Sequence, residues 1–381
     1  MATTFDTDST IVSNALQIKV KKDEFLKATT TVFGAISSKS TLPILSNILI
    51  QNNGPDQIVL SGTDLELGIK TTCPATVLLQ GAVTVPAKKL HEIIRELGSG
   101  EIEITVGKNN AVNIKTNKSF FKIMGLEPDD FPKLPEPSSD QSFEIDHAIL
   151  KQCLSLTAFA ISRDETRYTL NGVLAIFKGK KARFVATDGK RLASIEQNVQ
   201  LPNDIMTEVI IPAKTIAEVV KTIPDGAGKT KISLTQNQIM FQIEDTVLVS
   251  RLIEGRFPNY EQVIPKDVKT KTEVNRQEFL AAMKRVSLLT SQENQAVKID
   301  FIKDRLLISS RSPNMGEAKE EVTAKISGDD LTIGFNPSYI IDVLKNLDHE
   351  TITLAMTEPD KPGLIETGDG YQYVVMPMQL N

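Results

Sequence analysis

The pattern of apolar and polar positions recurs three times along the chain in one order. A short alternating segment at Ile18–Val20 comes before about sixteen residues whose apolar positions have helical spacing. The same order returns at Phe143–Ile145 and at Thr272–Val274, about 125 and 254 residues further on. Repetition at a fixed period is typical of a chain built from copies of one structural unit. The pattern therefore predicts three similar domains.

A proline opens the second helix predicted in each repeat. Pro86, Pro212 and Pro337 each follow a strand-like segment and precede apolar residues at three- and four-residue spacing. Proline suits the first turn of a helix, because the N–H that it lacks would have no partner there. The segments Asp130–Pro132 and Arg256–Pro258 close the first two repeats and lead into polar connectors. Each repeat is thus predicted to contain two helices and about eight strands.

Alternating runs between the helices predict antiparallel sheets with one face covered by helices. The fold class is therefore α+β, with three similar domains that each pack two helices on antiparallel sheets. The connectors place these domains at residues 16–137, 138–265 and 266–381. Residues 1–15 are rich in Thr, Ser and Asp and lack a basic start and an apolar core. We expect them to form a disordered extension and not a signal peptide.

The charge of the predicted helices differs from that of the whole chain. The formal net charge is −5, which by itself argues against a nucleic-acid partner. The helical segments 22–37, 87–97, 148–163, 213–222, 277–291 and 338–347 nevertheless hold twelve Lys and Arg and only seven Asp and Glu. Basic helical faces on an acidic body would attract the phosphates of duplex DNA without sequence preference. Ordinary solvated helix faces are the alternative interpretation.

No arrangement of residues in the sequence predicts catalysis. The three histidines have no metal-binding spacing, and Gly226–Thr230 is interpreted as a helix end and a turn, not a phosphate-binding loop. Cys73 and Cys153 lie among apolar neighbours, which predicts buried free thiols in a reducing cytosol. No apolar run approaches the length of a membrane span. We therefore expect a cytoplasmic protein without a metal or a cofactor, for which an enzyme is the less favoured class.

The segment Ala186–Ala193 joins two predicted strands through a tight, charged turn. Its first half, Thr187–Asp188, recurs in the first repeat as Thr63–Asp64. This recurrence predicts a turn-forming role, since Asp side chains bond the backbone two residues on. The second half, Gly189–Leu192, has no such counterpart in the first repeat. We interpret the second half as the part specialised for binding.

Four features together resemble the bacterial DNA polymerase III beta subunit family, the sliding clamps. They are the triplication, the turn at Thr187–Leu192, the segment Glu254–Tyr260 and the tail Tyr373–Met378. Leu42–Asn47 and Tyr168–Gly172 are also similar to family signatures. The resemblance extends from residue 16 to the end of the chain.

The resemblance implies a homodimer in which three-domain protomers pair head to tail into a closed ring. Helices would line the hole and face duplex DNA, which reconciles DNA binding with an acidic chain. Such a ring slides without sequence specificity and tethers the replicative polymerase, so it gives processive DNA replication without an active site. A protein-interaction scaffold without DNA encirclement is the second hypothesis. An enzyme that acts on nucleotides through Thr187–Arg191 is the third.

The resemblance also implies a groove between the second and third domains that binds short peptides of the DNA polymerase III alpha subunit, the clamp loader and other partners. Its predicted walls are Leu170, Thr187, Gly189, Lys190, Arg191, Leu192, Pro258, Val263, Val374, Met376, Pro377 and Met378. Methionine and aliphatic side chains suit many peptides because they adapt their shape. Lys190 and Arg191 are expected to meet peptide carbonyls or acids at the rim. Lys190, Gln379 and Asn381 depart from the family pattern, which has His at the position of Lys190, so peptide preference is left open.

Two further surfaces follow from the resemblance. The predicted DNA contacts are Lys39, Lys88, Arg167, Tyr168 and Lys214. The predicted dimer interface sets Phe121 and Ile123 near Leu288 and Leu289 of the partner subunit, with Lys118 and Lys122 facing Glu317 and Glu320 of the partner subunit.

Overall fold

A computed structural model describes residues 15–37, 42–135, 142–202, 205–290, 296–313 and 315–380. Residues 1–14 of the expected extension lie outside these ranges, as does Lys39, a predicted DNA contact. The chain divides into two compact units. Unit 1 comprises Met1–Ser142 and Thr230–Arg251, and unit 2 comprises Phe143–Lys229 and Leu252–Asn381.

The described residues form six α-helices and twenty-five β-strands. The helices are α1 (Lys22–Phe33), α2 (Ala87–Glu96), α3 (His147–Ala158), α4 (Ala213–Thr222), α5 (Arg276–Ser287) and α6 (Pro337–Asn346). The strands are β1 (Gln17–Lys21), β2 (Asn47–Asn52), β3 (Gln57–Thr63), β4 (Leu67–Pro74), β5 (Thr76–Leu79), β6 (Ala82–Pro86), β7 (Glu101–Val106), β8 (Ala111–Lys115), β9 (Phe120–Met124), β10 (Ser142–Asp146), β11 (Gly172–Lys178), β12 (Lys181–Thr187), β13 (Arg191–Asn198), β14 (Met206–Pro212), β15 (Lys229–Leu234), β16 (Gln238–Ile243), β17 (Thr246–Arg251), β18 (Thr270–Asn275), β19 (Val297–Ile302), β20 (Arg305–Ser312), β21 (Gly316–Ser327), β22 (Leu331–Phe335), β23 (Thr351–Met356), β24 (Gly363–Glu366) and β25 (Tyr371–Val375).

The six predicted helices are confirmed, but three of them end earlier than their apolar spacing predicted. α1, α3 and α5 end at Phe33, Ala158 and Ser287, whereas the spacing continued to residues 37, 163 and 291. The spacing overshoots because the chain still faces the core after the helix has ended. Ala35 and Ala160 lie just beyond α1 and α3, and both are fully buried.

Unit 1 contains two groups of antiparallel strands. One sheet has the order β5-β1-β7-β8-β9, and seven strands of a second sheet have the order β15-β16-β17-β4-β3-β2-β6. Helix α1 packs against β3 and β4 and buries Phe25 and Val32. Gly62 on β3 permits this approach, because a Cβ there would lie 2.7 Å from Cγ1 of Val32. The apolar face of α1 is therefore pressed directly onto the sheet.

Unit 2 contains one antiparallel sheet of twelve strands and four helices, α3 to α6. The strand order is β14-β11-β12-β13-β25-β24-β23-β18-β21-β20-β19-β22. Strand β13 pairs with β25, so that Leu192 lies opposite Val374. The charged turn between β12 and β13 therefore lies beside the last strand of the chain. The predicted α+β class with antiparallel sheets is confirmed.

Candidate functional site

The turn between β12 and β13 is held by the two side chains that begin it. The Thr187 hydroxyl accepts a hydrogen bond from the N–H of Gly189 at 3.0 Å and donates to the carbonyl of Arg191 at 2.6 Å. Oδ1 of Asp188 accepts from the N–H groups of Lys190 and Arg191 at 2.9 and 3.0 Å. Gly189 has φ +87°, in the left-handed region that favours glycine. The backbone of the turn is thus fixed before any ligand binds.

The first repeat contains the same scaffold. Thr63 Oγ1 accepts from the N–H of Leu65 at 3.0 Å, and Asp64 Oδ1 accepts from the N–H groups of Glu66 and Leu67 at 3.0 and 2.7 Å. The predicted turn-forming role of the Thr-Asp pair is therefore confirmed in both copies. Leu65 holds a φ of 76° where the other copy has glycine, so a strained residue is tolerated in the first repeat.

Arg191 occupies a different place from the one expected for it. Its side chain is only 10% exposed. Nε binds Oδ2 of Asp188 at 3.0 Å, and Nη1 binds Oδ2 of Asp342 on α6 at 2.7 Å. Nη2 donates to the carbonyl of Phe159 at 2.8 Å, and the guanidinium carbon lies 4.7 Å from the ring centre of Tyr339. Three of the five N–H donors of Arg191 are thus used within the chain, so its contacts do not favour the predicted rim role, which stays a prediction.

The same contacts keep Arg191 charged. Burial opposes the charged form, but the hydrogen bond to Asp342 and the nearby charge of Asp188 together raise the pKa of Arg191 above its usual value. Arg191 therefore stabilises the packing of β13 against α6 and against Phe159, the residue that follows α3. Lys190 is exposed and remains as the cation of the turn that faces solvent.

An apolar cluster lies beside the turn and brings together several predicted groove residues. Leu170, Leu192 and Val374 belong to it, and each is at most 6% exposed. The sequence did not indicate the other buried members, which are Leu174, Val185, Ile210, Phe257, Tyr260, Ala355 and Leu364. The half-buried Ile176, Ile253 and Ile264 pack against them. The cluster forms a continuous apolar floor.

Alternation within strands could have located part of this floor. Leu174 and Ile176 stand two positions apart on β11, and Val185 lies opposite Leu174 on β12. Residues two apart on a strand share a face, so the alternation within β11 places Leu174 and Ile176 on that face. Phe257 and Tyr260 lie outside the strands, so alternation does not mark them, although Phe257 belongs to the segment that closes the second repeat.

Exposed apolar side chains border the floor. Met376 is 40% exposed, and its N–H donates to the carbonyl of Lys190 at 2.9 Å, which fixes it next to the turn. Val263, at the end of the short 3-10 turn Tyr260–Val263, is 42% exposed. Pro258 is exposed directly after the buried Phe257. These positions are suited to contact a ligand that lies on the floor.

Pro377 and Met378 are half-buried and follow the last strand, which ends at Val375. The N–H of Met378 donates to the carbonyl of Gly334 at 2.8 Å. A Cβ at Gly334 would lie 2.6 Å from the carbonyl oxygen of Met378, so glycine is needed for this close approach. Met378 is thus attached to β22 and stands apart from the turn.

The described candidates for DNA contact are all exposed, but they occupy different elements. Lys88 lies on α2 in unit 1, and Lys214 lies on α4 in unit 2. Tyr168 is 59% exposed. Arg167 forms an ion pair with Asp164 at 3.1 Å. A Cβ at Gly189 would come within 2.7 Å of Nη1 of Arg167, so Arg167 lies against the charged turn, in the short 3-10 segment Glu165–Leu170 and not on an α-helix.

Each unit presents an open strand edge where interface residues were predicted. In unit 1, β9 is the last strand of its sheet, with Phe121 38% exposed and Ile123 half-buried. In unit 2, residues 316–323 of β21 pair only with β20 among the described residues. The following segment, 324–327, pairs with β18. Glu317 and Glu320 lie on this open part of β21. Leu288 is 72% exposed just beyond α5.

Two charged residues of the predicted dimer interface, Glu317 and Glu320, already have ion-pair partners within their own chain. Arg285 donates to both carboxylate oxygens of Glu320 at 2.8 Å, and these hydrogen bonds lower the pKa of Glu320. Glu317 lies 3.5 Å from Lys319. Glu320 was expected to pair with a lysine of the other subunit. It already has a bidentate partner in its own chain, so a lysine across the seam would have to share it.

The structure shows no reactive thiol and no metal cluster in the part of the chain that it describes. Cys73 and Cys153 are free and buried, as predicted, and burial raises the pKa of each thiol to about 12. Among the described residues, no three His, Cys, Asp or Glu side chains are placed to hold a metal ion together. No described helix is both long and apolar enough to cross a membrane.

Three family models match the repeated α+β chain in order. The N-terminal domain of the DNA polymerase III beta subunit matches residues 16–135, the central domain matches 144–259, and the C-terminal domain matches 261–379. The fold thus defines a protein of three homologous clamp domains. The chain belongs to the DNA polymerase III beta subunit family, whose members are processivity factors and not enzymes. The resemblance inferred from the sequence is confirmed.

Individual relatives agree with this assignment. The chain is similar to the beta sliding clamp of Pseudomonas aeruginosa, with 32% identity over 373 residues that cover 96% of this chain and 100% of the relative. The crystal structure of the Bacillus subtilis sliding clamp superposes with a TM-score of 0.92 at 30% identity, over 97% of this chain and 100% of that one. The sliding clamp of Bartonella birtlesii, solved with bound griselimycin, gives a TM-score of 0.91 at 33% identity, over 96% and 100%.

Proposed function

We propose that two copies of this chain close into a ring around duplex DNA and tether the replicative polymerase to it, so that DNA synthesis is processive. The observation that carries this function is the ordered match of all three beta subunit domains along the chain. In our proposal the clamp domains comprise residues 16–137, 138–265 and 266–381. A scaffold without DNA encirclement is not favoured, because the relatives are sliding clamps over their full length.

We infer that the ring closes by strand addition between the two open edges. An open edge offers a row of unpaired N–H and C=O groups that a strand of another chain can complete. Strand β9 of one protomer would join residues 316–323 of β21 in its partner. Phe121 and Leu288 would then be covered, which removes two exposed apolar side chains from water. Two copies that join head to tail in this way form two identical seams and leave neither edge open.

The DNA contacts in this proposal are made by Lys39, Lys88, Arg167, Tyr168 and Lys214. Lysine and arginine would attract phosphates without reading base sequence. Binding of this kind weakens as salt rises, whereas a closed ring stays linked to circular DNA by topology. We infer that the protein acts in the cytoplasm, where the bacterial chromosome is replicated. No cofactor and no metal are required for these contacts.

Retention on circular DNA tests the ring. Labelled protein loaded onto nicked circular duplex by a bacterial clamp loader and ATP is expected to stay bound through gel filtration in roughly 0.5 M salt, which disrupts phosphate contacts. Cutting the circle with a restriction enzyme should release the protein, because the ring slides off the ends. Equal loss from the circular and the linear DNA would contradict encirclement.

We propose that the floor beside the β12–β13 turn binds a short peptide of the DNA polymerase III alpha subunit and of other partners. The support is the combination of a fixed turn, an apolar floor and an exposed methionine at its border. Flexible methionine and aliphatic side chains fit the apolar residues of different peptides. Lys190, which is exposed at the turn, can meet a carbonyl or an acid of the peptide.

Replacing Met376 with alanine tests the position of this groove. The substitution is expected to weaken binding of an alpha-subunit peptide by about 1–3 kcal/mol, because an apolar anchor is truncated. Fluorescence anisotropy of a labelled peptide measures the change. Leu78→Ala is the control, because Leu78 is a similarly exposed apolar residue in unit 1. An unchanged Kd for Met376→Ala would place the groove elsewhere.

A further inference from the structure

Arg183 lies on the sheet face that carries the groove floor. It stands opposite Glu196 across β12 and β13, and two positions before Val185, a member of the apolar cluster. Residues two apart on a strand share a face. Nε and Nη2 of Arg183 both donate to Oε2 of Glu196, at 2.9 and 2.6 Å. These two bonds orient the planar guanidinium and leave Nη1 directed away from Glu196.

Nη1 of Arg183 reaches the short turn at Tyr260–Val263. It donates to the hydroxyl of Tyr260 at 3.2 Å and to Oε1 of Glu261 at 3.3 Å. The Tyr260 side chain belongs to the apolar cluster, and its ring centre lies 6.4 Å from that of Phe257 in an edge-to-face arrangement. One guanidinium thus connects the sheet to two consecutive residues of the turn.

The packing of Tyr260 and of the following Ile264 on the apolar cluster already restrains the turn. The turn follows Asn259, which forms no side-chain capping bond, and it spans only four residues. Val263 at its end is a predicted wall of the groove and is exposed. A wall carried by so short a turn keeps its place only if the side chains at the start of the turn are held. The hydrogen bonds from Arg183 add a polar restraint to the packing of Tyr260.

We propose that Arg183 is a positioning residue of the peptide groove, which fixes the Tyr260–Val263 turn and thereby sets how well the groove accepts a peptide. This inference rests on the proposed function of the groove. If the wall is already ordered in the free protein, peptide binding does not lose the conformational entropy of ordering it. Arg183 need not touch the peptide, because it acts through Tyr260 and Glu261.

The test compares two charge-removing substitutions on the same strand. Arg183→Met is expected to weaken binding of a labelled alpha-subunit peptide by about fivefold, the equivalent of one hydrogen bond. Lys181→Met is the matched control, because Lys181 lies two positions away on β12, pairs with the same Glu196 and carries the same charge. The control is expected to change Kd by less than about twofold, as is usual for an exposed ion pair.

A second pair of variants separates positioning from general stability. Tyr260→Phe removes the hydroxyl to which Arg183 donates, so it should also weaken binding of the peptide. In the Tyr260→Phe background, Arg183→Met is then expected to cost less than it does alone, since part of the shared contact is already absent. Urea unfolding of all variants shows whether affinity changes independently of stability.

The outcomes distinguish this inference from the proposed function. If wild-type protein binds the peptide and Met376→Ala weakens it, while Arg183→Met does not, the groove stands and the role of Arg183 is wrong. Equal losses for Arg183→Met and Lys181→Met would assign the effect to charge and would also overturn it. If wild-type protein does not bind the peptide at all, the proposed function fails first.

Discussion

Replacing Arg191 with methionine is expected to lower the free energy of unfolding by about 3–5 kcal/mol. Methionine fills much of the same space, but the substitution removes the partner of Asp188 and Asp342 and the donor to the carbonyl of Phe159. The carboxylates of Asp188 and Asp342 are only partly exposed, at 18% and 39%, and leaving such charges without a partner is more costly than losing the pair itself. Urea unfolding followed by far-UV circular dichroism measures the change, since the chain has no tryptophan.

Lys190→Met is the control for this prediction. Lys190 precedes Arg191, carries the same charge and is exposed, so its replacement should change stability by less than about 0.5 kcal/mol. Adding Asp342→Asn to Arg191→Met should recover part of the lost stability, because one of the unpaired charges is removed. A loss below about 1 kcal/mol for Arg191→Met would show that water replaces the internal contacts of the guanidinium.

Introducing aspartate at Leu288 is expected to convert the proposed ring into monomers. The substitution places a carboxylate where an exposed leucine would be covered by the partner. An unpaired charge buried at an interface costs about 3 kcal/mol or more, and a head-to-tail ring includes the cost at both seams. Sedimentation equilibrium at micromolar protein should then give a single-chain mass, and retention on circular DNA should be lost.

Met206→Asp provides the comparison. Met206 is 75% exposed, close to the 72% of Leu288, but it begins β14, away from the proposed seam. It should leave the dimer mass unchanged. If Leu288→Asp also stays dimeric, the seam does not include this residue. If both variants dissociate, added negative charge is the cause and not the position.

The repeat and its helices could be predicted because local patterns determine them. Pro86, Pro212 and Pro337 stand at the start of α2, α4 and α6, where a missing N–H has no cost. The Thr-Asp turns were likewise predictable, since their hydrogen bonds reach only two to four residues along the chain. The ends of α1 and α3 were not, because Ala35 and Ala160 continue the apolar spacing without continuing the helix.

The electrostatics of the site could not be predicted from the sequence, because its partners are distant along the chain. Arg191 meets Asp342, which lies 151 positions away, and a main-chain carbonyl that has no sequence signature. Arg183 meets Tyr260 across 77 positions. The sequence shows an arginine at position 191, but only the fold shows that its side chain is buried. The sequence therefore placed Arg191 in the groove without indicating the internal contacts that use three of its N–H donors.

The burial of Cys73 and Cys153 makes the protein well suited to site-specific labelling. Burial raises the pKa of each thiol to about 12, so neither forms much of the thiolate that reacts with maleimides near pH 8. A cysteine introduced on the surface would therefore be labelled far faster than either native thiol. Dyes placed on both sides of a seam could then report ring opening in single molecules without removal of the native cysteines.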